Sequence, residues 1–118
     1  MNITYSAKKL EKLCNSLQEL IKKFGVKTAK ACIARQEQLR NAKNLLEFSK
    51  IVKRANCHEL QKKKGRDRRE EFAVDIEGGK RMIFKVNMTP IPFDENEKIA
   101  WEKVTDIIVM SLENYHDD

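Results

Sequence analysis

The feature that most constrains the fold is a change of hydrophobic period about halfway along the chain. In the first half, apolar residues recur at steps of three and one, which is the spacing of an amphipathic helix. In the second half they alternate with polar residues, as in strands with one buried face. The sequence therefore predicts an α+β fold in which an N-terminal antiparallel helical hairpin packs on a small, mainly antiparallel β-sheet.

The helical half is predicted to contain two main helices. The first covers residues 7–24 and stops at Gly25, where a left-handed C-cap costs least. The second covers about residues 27–42, and the short link between them makes the pair a hairpin. Residues 44–52 are expected to form a short helical or irregular connector.

The extended half begins with a strong hairpin signal. Gly78 and Gly79 separate two alternating runs, residues 72–76 and 82–88. The final run, residues 104–112, is apolar on both faces, which favours a central strand covered at least partly on both sides.

Two further segments complete the predicted architecture. Residues 3–5 are a short apolar start that suits an additional strand. Residues 89–103 contain two prolines and are expected to form a longer loop or short helix.

Length and composition limit the classes to which the chain can belong. At 118 residues it is predicted to be a single domain, residues 1–118. Its three cysteines match neither a disulfide framework nor the spacing of a zinc site, and no metal or cofactor is expected. No apolar run approaches the roughly 18 residues of a membrane span, so the expected location is the cytoplasm.

Positive charge is concentrated in one stretch. The chain carries 24 Lys and Arg against 18 Asp and Glu, and residues 50–69 hold nine of the basic residues but only two acidic ones. A basic belt on an otherwise nearly neutral protein predicts a surface that binds a polyanion. The alternative for the run from Lys62 to Arg69 is an ordinary solvated loop.

The only two histidines lie at informative places. His58 directly precedes the dense basic run, and His116 follows Tyr115 just past the last apolar strand. Two histidines and a belt of cations suit metal-free RNA cleavage, because histidine can exchange protons near neutral pH while cations stabilise the phosphorane. Taken alone, a lone histidine is more often structural, and Tyr115 suits either the edge of a core or stacking on an RNA base.

These residues, in this order, resemble the RelE/HigB-like toxins of type II toxin–antitoxin systems, the plasmid-maintenance killer proteins. The resemblance covers nearly the whole chain. Its most specific parts are Cys57-His58-Glu59-Leu60, the following Gly65-Arg66, the strand pair over residues 72–86 and the terminal Tyr115-His116. It implies a RelE-like fold and a ribosome-dependent mRNA endonuclease that a protein antitoxin from the same operon neutralises.

The resemblance and the chemistry together assign the candidate site. Catalytic roles are predicted for His58, His116, Tyr115 and Arg68, since the Arg fork can donate two hydrogen bonds to one phosphate. The predicted RNA contacts are Lys62, Lys64, Arg66, Arg69, Arg81, Lys85 and Asn114. Asn114 departs from the family pattern, in which related sequences usually carry Asp.

The expected partners are a cognate antitoxin and mRNA in the ribosomal A site. Operator DNA is expected to be contacted only through the antitoxin, and no membrane partner is expected. The alternative reading is a basic RNA- or DNA-binding module without chemistry, or a regulatory partner that acts in complex with an antitoxin. Products with 2′,3′-cyclic phosphate ends would indicate the nuclease, whereas a binding module would leave RNA intact.

Overall fold

In the part of the chain that the structure describes, helices occupy most of the first half and the three longest strands lie in the second half, which confirms the predicted α+β class. The computed structural model describes residues 1–60 and 70–114. The helices are α1 (Lys8–Cys14), α2 (Leu17–Phe24), α3 (Val26–Asn41) and α4 (Leu45–Ile51), with short 3-10 helices at Lys53–Ala55 and Trp101–Lys103. The strands are β1 (Asn2–Tyr5), β2 (His58–Glu59), β3 (Glu71–Ile76), β4 (Lys80–Val86) and β5 (Asp106–Asn114).

The single helix predicted over residues 7–24 is wrong, because the segment forms two helices that break at Asn15 and Ser16. The Ser16 side chain accepts a hydrogen bond from the Glu19 amide at 3.2 Å and caps the start of α2. The Asn15 backbone amide and Asn15 Nδ2 both donate to the Glu11 carbonyl, at 3.0 and 2.8 Å, and so close the last turn of α1. Apolar residues keep the helical spacing across the break, so periodicity alone does not reveal it.

The boundary predicted at Gly25 is confirmed. Gly25 is the single residue between α2 and α3 and has a φ of +90°, in the region that glycine adopts most readily. Its amide donates to the Ile21 carbonyl at 2.8 Å, and its own carbonyl accepts from Ala29 at 3.0 Å. A helical hairpin at the start of the chain is not confirmed, since β1 and α1 precede this pair of helices.

The five described strands form one sheet in the order β1-β5-β4-β3-β2. Only β1 and β5 pair in parallel, and the other neighbours are antiparallel. The β3–β4 hairpin forms around Gly78 and Gly79 as predicted, with φ values of +87° and +76°. β5 lies between β1 and β4, which confirms that the last apolar run is an internal strand.

The main core lies between the helices and one face of the sheet. Alternate residues of β3 and β4, among them Phe72 and Phe84, contribute to it, and their rings stack with centroids 5.5 Å apart. The Trp101 ring meets Phe72 edge-on at 5.4 Å. We call this side of the sheet the helix-covered face.

One polar side chain organises the helical side of this core. Gln36, which is 1% exposed, accepts a hydrogen bond from the Tyr5 hydroxyl at 2.5 Å and donates to the Cys14 carbonyl at 2.9 Å. It therefore connects β1, α1 and α3 while satisfying its own buried amide. Among the described residues, no helix is long and apolar enough to cross a bilayer.

Candidate functional site

The face of the sheet turned away from the helices carries most of the candidate residues that the structure describes. We call it the outer face. Directly paired residues on antiparallel strands share a face, and neighbours along a strand alternate. The register therefore places on it His58, Glu71, Ala73, Asp75, Arg81, Ile83, Lys85, Ser111 and Glu113.

A small apolar patch forms the centre of the outer face. Ala73 and Ile83 are paired across β3 and β4, and both are 0% exposed. Leu60, just after β2, and Met110 pack against them. Met110 lies at a β-bulge, where β5 has one residue more than its partner between the positions opposite Ile83 and Phe84. Because of the bulge, the consecutive residues Met110 and Ser111 both lie on the outer face.

His58 lies at the edge of this patch on β2, paired with Ala73. It is half-buried, and its Nδ1 lies 2.7 Å from the backbone carbonyl of Asn56. A carbonyl oxygen only accepts, so Nδ1 carries the proton in this hydrogen bond. In the neutral ring, Nε2 is then left with a lone pair that can accept a proton.

The conformation of Asn56 brings that carbonyl under the ring. Asn56 follows the 3-10 helix Lys53–Ala55 and has φ 49° and ψ 51°, a left-handed conformation that asparagine tolerates better than most residues. This sharp turn ends the short helix and starts β2 within two residues. The same local geometry therefore fixes both the position and the tautomer of His58.

Cys57 and His58 point to opposite faces, as the sequence predicts for neighbours on a strand. Cys57 packs against the main core, whereas His58 faces outward. Burial raises the pKa of the Cys57 thiol to about 12, so the thiol stays protonated at neutral pH. Cys57 is therefore a packing residue and not a nucleophile for His58 to activate.

A charged row crosses the outer face beside the patch, with Asp75, Arg81 and Glu113 paired on β3, β4 and β5. Arg81 is only 3% exposed, and its Nη2 lies 3.8 Å from Glu113 Oε1. Ser111 Oγ donates to Glu113 Oε2 at 2.9 Å. Arg81 lies on the face that strand alternation predicts, but as a buried ion-pair partner and not as an exposed cation; its contact with RNA stays a prediction.

Lys85 lies on the same face, opposite Glu71 on β3 and Ile108 on β5, and is half-buried. The cross-strand pair of Lys85 and Glu71 lies two residues along the strands from the pairs that Ala73 makes with His58 and Ile83. A lysine at this distance can extend its ammonium group toward an anion above the patch while its stem covers apolar surface. Among the predicted RNA contacts that the structure describes, Lys85 is the cation best placed near His58.

Asn114 belongs to the other face of the sheet. It pairs with Lys80 at the end of β5, and Lys80 Nζ donates to Asn114 Oδ1. The same ammonium lies 5.3 Å from the centroid of the Phe24 ring on α2. Within the described chain, the side-chain partner of Asn114 is thus a lysine beside the helices and not His58.

The distance between His58 and the end of β5 follows from the register. The two residues are three strands apart across the sheet, at about 4.8 Å for each strand, and three residues apart along the strand direction, at about 3.3 Å for each residue. Their Cα atoms are therefore roughly 17 Å apart.

The remaining predicted site residues lie outside the described residues: Lys62, Lys64, Arg66, Arg68, Arg69, Tyr115 and His116.

The described residues offer no metal chemistry. Between residues 1 and 60 and between 70 and 114, no three His, Cys, Asp or Glu side chains are placed to hold a metal ion. Beside the apolar patch and the charged row of Asp75, Arg81 and Glu113, this part of the face carries the His58 imidazole and Lys85, which is paired with Glu71.

Sequence reasoning missed one charged residue, Arg35. It lies in α3 on the same stripe as Cys32 and Leu39, and it is only 6% exposed. An arginine at an inward-facing helical position is the signal that would have found it, since charged side chains are seldom buried without a purpose.

Comparisons of this chain with protein families, with curated proteins and with solved structures found no match. The sequence resemblance and the geometry of the site are therefore the grounds on which function is argued.

Proposed function

We propose that this protein is the toxin of a type II toxin–antitoxin system, a RelE/HigB-like endoribonuclease that cleaves mRNA in the ribosomal A site. The observation that carries the proposal is the orientation of His58. Its Nδ1 is held by the Asn56 carbonyl, its ring lies on the outer face, and no hydrogen bond from the described part of the chain reaches Nε2, which can accept a proton. This is the arrangement that a general base requires.

The reaction uses the 2′-hydroxyl of the substrate as the nucleophile. His58 Nε2 takes its proton as the 2′-oxygen attacks the adjacent phosphorus, and the bond from phosphorus to the 5′-oxygen of the next nucleotide breaks. His116 protonates that leaving oxygen, so the products are a 2′,3′-cyclic phosphate and a 5′-hydroxyl. Arg68 neutralises the charge that builds up on the phosphorane, and Tyr115 stacks on a base beside the cut.

The apolar patch and Lys85 suit the substrate that this reaction needs. Lys85 supplies a positive charge near His58, and the half-buried Met110 offers apolar surface at the edge of the patch. The ribosome holds the RNA in line, which supplies the orientation that a small, open face lacks.

The proposed partners follow from the same assignment. A cognate antitoxin covers the toxin until it is degraded, and operator DNA is contacted through that antitoxin. The mRNA target places the protein in the cytoplasm. Growth arrest on expression of the chain, relieved by expression of the neighbouring gene, tests the toxin–antitoxin part of the proposal separately from the chemistry.

The chemistry is tested by replacing His58 with alanine. We expect His58→Ala to lower the cleavage rate by roughly 10²–10⁴-fold, the usual contribution of a general acid or base. The rate is measured on purified ribosomes that carry a defined message, with analysis of the 2′,3′-cyclic ends.

Glu59→Ala is the matched control, since Glu59 lies next to His58 on β2 but is paired with Phe72 of the helix-covered face. It should cleave at close to the wild-type rate. Both variants should unfold near the wild-type temperature. Full activity in a folded His58→Ala protein would contradict the role of His58. Intact RNA bound by the wild-type chain on ribosomes would favour the binding module without chemistry.

A further inference from the structure

A cationic hollow lies on the helical side of the molecule, away from the outer face. It has a volume of about 320 Å³ and lies between α3, the 3-10 helix Lys53–Ala55 and the β3–β4 turn. Four cations and one carboxylate line it, together with two alanines and a glutamine: Lys27, Lys30, Arg35, Arg54, Glu77, Ala31, Ala34 and Gln38.

Arg35 is the fixed element of this hollow. Its Nε donates to the Asp75 carbonyl at 2.9 Å, and its Nη1 donates to Gln38 Oε1 at 2.6 Å. Among the described residues, β2 pairs with β3 only at Phe72 and Ala73, and at the edge of β3 beside Asp75 the arginine donates where a neighbouring strand would. Two hydrogen bonds to neutral acceptors hold the guanidinium rigidly without neutralising its charge.

The cations that line the hollow outnumber its carboxylates, four to one. Throughout residues 1–60 and 70–114, none of the four cations of the hollow forms an ion pair. Burial, followed by the positive charge of Arg54, lowers the pKa of Arg35, and the carboxylates of Asp75 and Glu77 act in the opposite direction. The guanidinium nevertheless stays charged at neutral pH. Because four cations line the hollow with only one carboxylate, an anion bound there would offset the excess positive charge.

A second groove continues from the hollow. It shares Gln38 and Arg54 with the hollow, has a volume of about 570 Å³ and adds two exposed lysines, Lys50 and Lys53. Glu47 is its one carboxylate. The two depressions thus form a basic track that is longer than a single small anion needs, with the rigid Arg35 at one end.

We propose that the hollow binds a backbone phosphate of RNA, with the Arg35 and Arg54 guanidiniums as its donors, and that the adjoining groove guides the next phosphates past Lys50 and Lys53. The Arg54 fork can donate two parallel hydrogen bonds to one phosphate. Arg35, whose Nε and Nη1 already donate to Asp75 and Gln38, would donate from Nη2. The site is separate from the outer face, so it holds RNA without cutting it. This proposal rests on the proposed function in one respect, which is the choice of RNA as the polyanion.

The test measures binding of a short 2′-O-methyl oligoribonucleotide, which cannot be cleaved, over a range of salt concentrations. The variant is Lys30→Gln/Arg54→Gln, which removes two exposed cations of the hollow. The matched control is Lys98→Gln/Lys103→Gln, which removes the same charge from exposed positions beyond β4. Because the probe has no reactive 2′-hydroxyl, a failure of binding at the hollow is distinguishable from a failure of catalysis.

The hollow variant should bind the probe about tenfold more weakly. The slope of log affinity against log salt should also become shallower by about 0.7 for each phosphate of the single strand that the protein no longer neutralises. The control should change neither value appreciably. If both double variants lost the same amount of affinity for the probe, binding would depend only on the overall positive charge of the protein, and the proposal would be overturned.

Two further measurements keep the proposal falsifiable. Arg35→Lys keeps the charge but loses the fork, and in a variant that unfolds like the wild type it should weaken binding without removing a charge. Inorganic phosphate should compete with the probe only at high concentration. A different outcome would overturn the proposal: phosphate binds the wild type tightly, and both double variants bind the probe as strongly as the wild type does. The hollow would then be a site for a free anion and not for RNA.

Discussion

The two faces of the sheet use the same strands but are built differently. On the helix-covered face, alternate residues of β3 and β4 join one continuous apolar core with stacked rings at Phe72 and Phe84. On the outer face, the buried residues are those of a small apolar patch and Arg81, which belongs to a row of paired charges beside it. The alternation of residues along a strand thus determines the face of the sheet on which a side chain lies. Whether that side chain then contributes to stability or is available for chemistry depends on the elements that pack over that face.

The largest expected difference between the faces comes from two adjacent residues, Phe84 and Ile83, which are both 0% exposed. Phe84→Ala should lower the free energy of unfolding by about 4 kcal/mol, because the enclosed core cannot collapse around the cavity. Ile83→Ala should lower it by only about 2 kcal/mol, since Leu60 and Met110 around the outer patch can move into the space. Denaturant unfolding of both variants measures the difference. Equal losses would mean that the outer patch is as tightly enclosed as the main core.

A smaller effect is expected where the β3–β4 turn approaches α3 on the helix-covered side. A Cβ atom on Gly78 would collide with Thr28 Oγ1, whereas one on Gly79 would meet no atom within 4 Å. Both residues have positive φ, so alanine at either position should cost about 1 kcal/mol in backbone strain. Gly78→Ala should cost at least about 1 kcal/mol more, a typical penalty for overpacking.

The origin of this extra cost can be checked with a double variant. Thr28→Ala removes the colliding hydroxyl, so Gly78→Ala should be milder in that background and close to Gly79→Ala. Thermal unfolding of the single and double variants provides the comparison. If Thr28→Ala leaves the cost of Gly78→Ala unchanged, the turn does not press against α3.

An effect that appears only at alkaline pH separates Cys57 from its neighbour on the outer face. Burial raises the pKa of Cys57 from 9.0 to about 12 in the folded chain. The folded protein therefore keeps a proton that the unfolded chain releases, so the stabilising contribution is complete below pH 9.0 and is lost as the pH rises through about 12. Cys57→Ala should show a shallower loss of stability over this window than the wild type.

The matched variant for this measurement is His58→Ala, which changes the neighbouring residue but leaves the buried thiol in place. It should follow the wild-type alkaline profile, as measured by denaturant unfolding at several pH values. Parallel profiles for Cys57→Ala and the wild type would show that the thiol is hydrated in the folded protein.

Local signals in the sequence predicted some of this architecture well. Gly25 and the Gly78-Gly79 pair marked chain reversals because few other residues adopt their backbone angles, and the apolar run before Asn114 marked an internal strand. The same reasoning missed the break at Ser16, where a side-chain cap decides the structure while the apolar spacing continues. The pairing of β1 with β5 depends on residues far apart in the sequence, which no local pattern reports.

The candidate site was predictable to a lesser degree, for related reasons. Alternation along the strand assigns Arg81 and Lys85 to a face away from the core, and the register agrees. It could not show that Arg81 is buried against Glu113, nor that Asn114 turns toward Lys80, because both contacts are made between strands. Arg35 was overlooked because its environment combines a helix, a strand edge and a short 3-10 helix.

The parallel pairing of β1 with β5 has a consequence for the timing of folding during synthesis. The Asn2 side chain donates to Asp106, 104 residues later, and β5 fits between β1 and β4. While β5 is still inside the ribosome, β1 has no neighbouring strand and the sheet lacks an internal member. Such long-range closure slows folding and postpones it until the last strand has emerged. A nascent chain therefore cannot complete its outer face, and any activity of that face begins only after β5 has left the ribosome that made it.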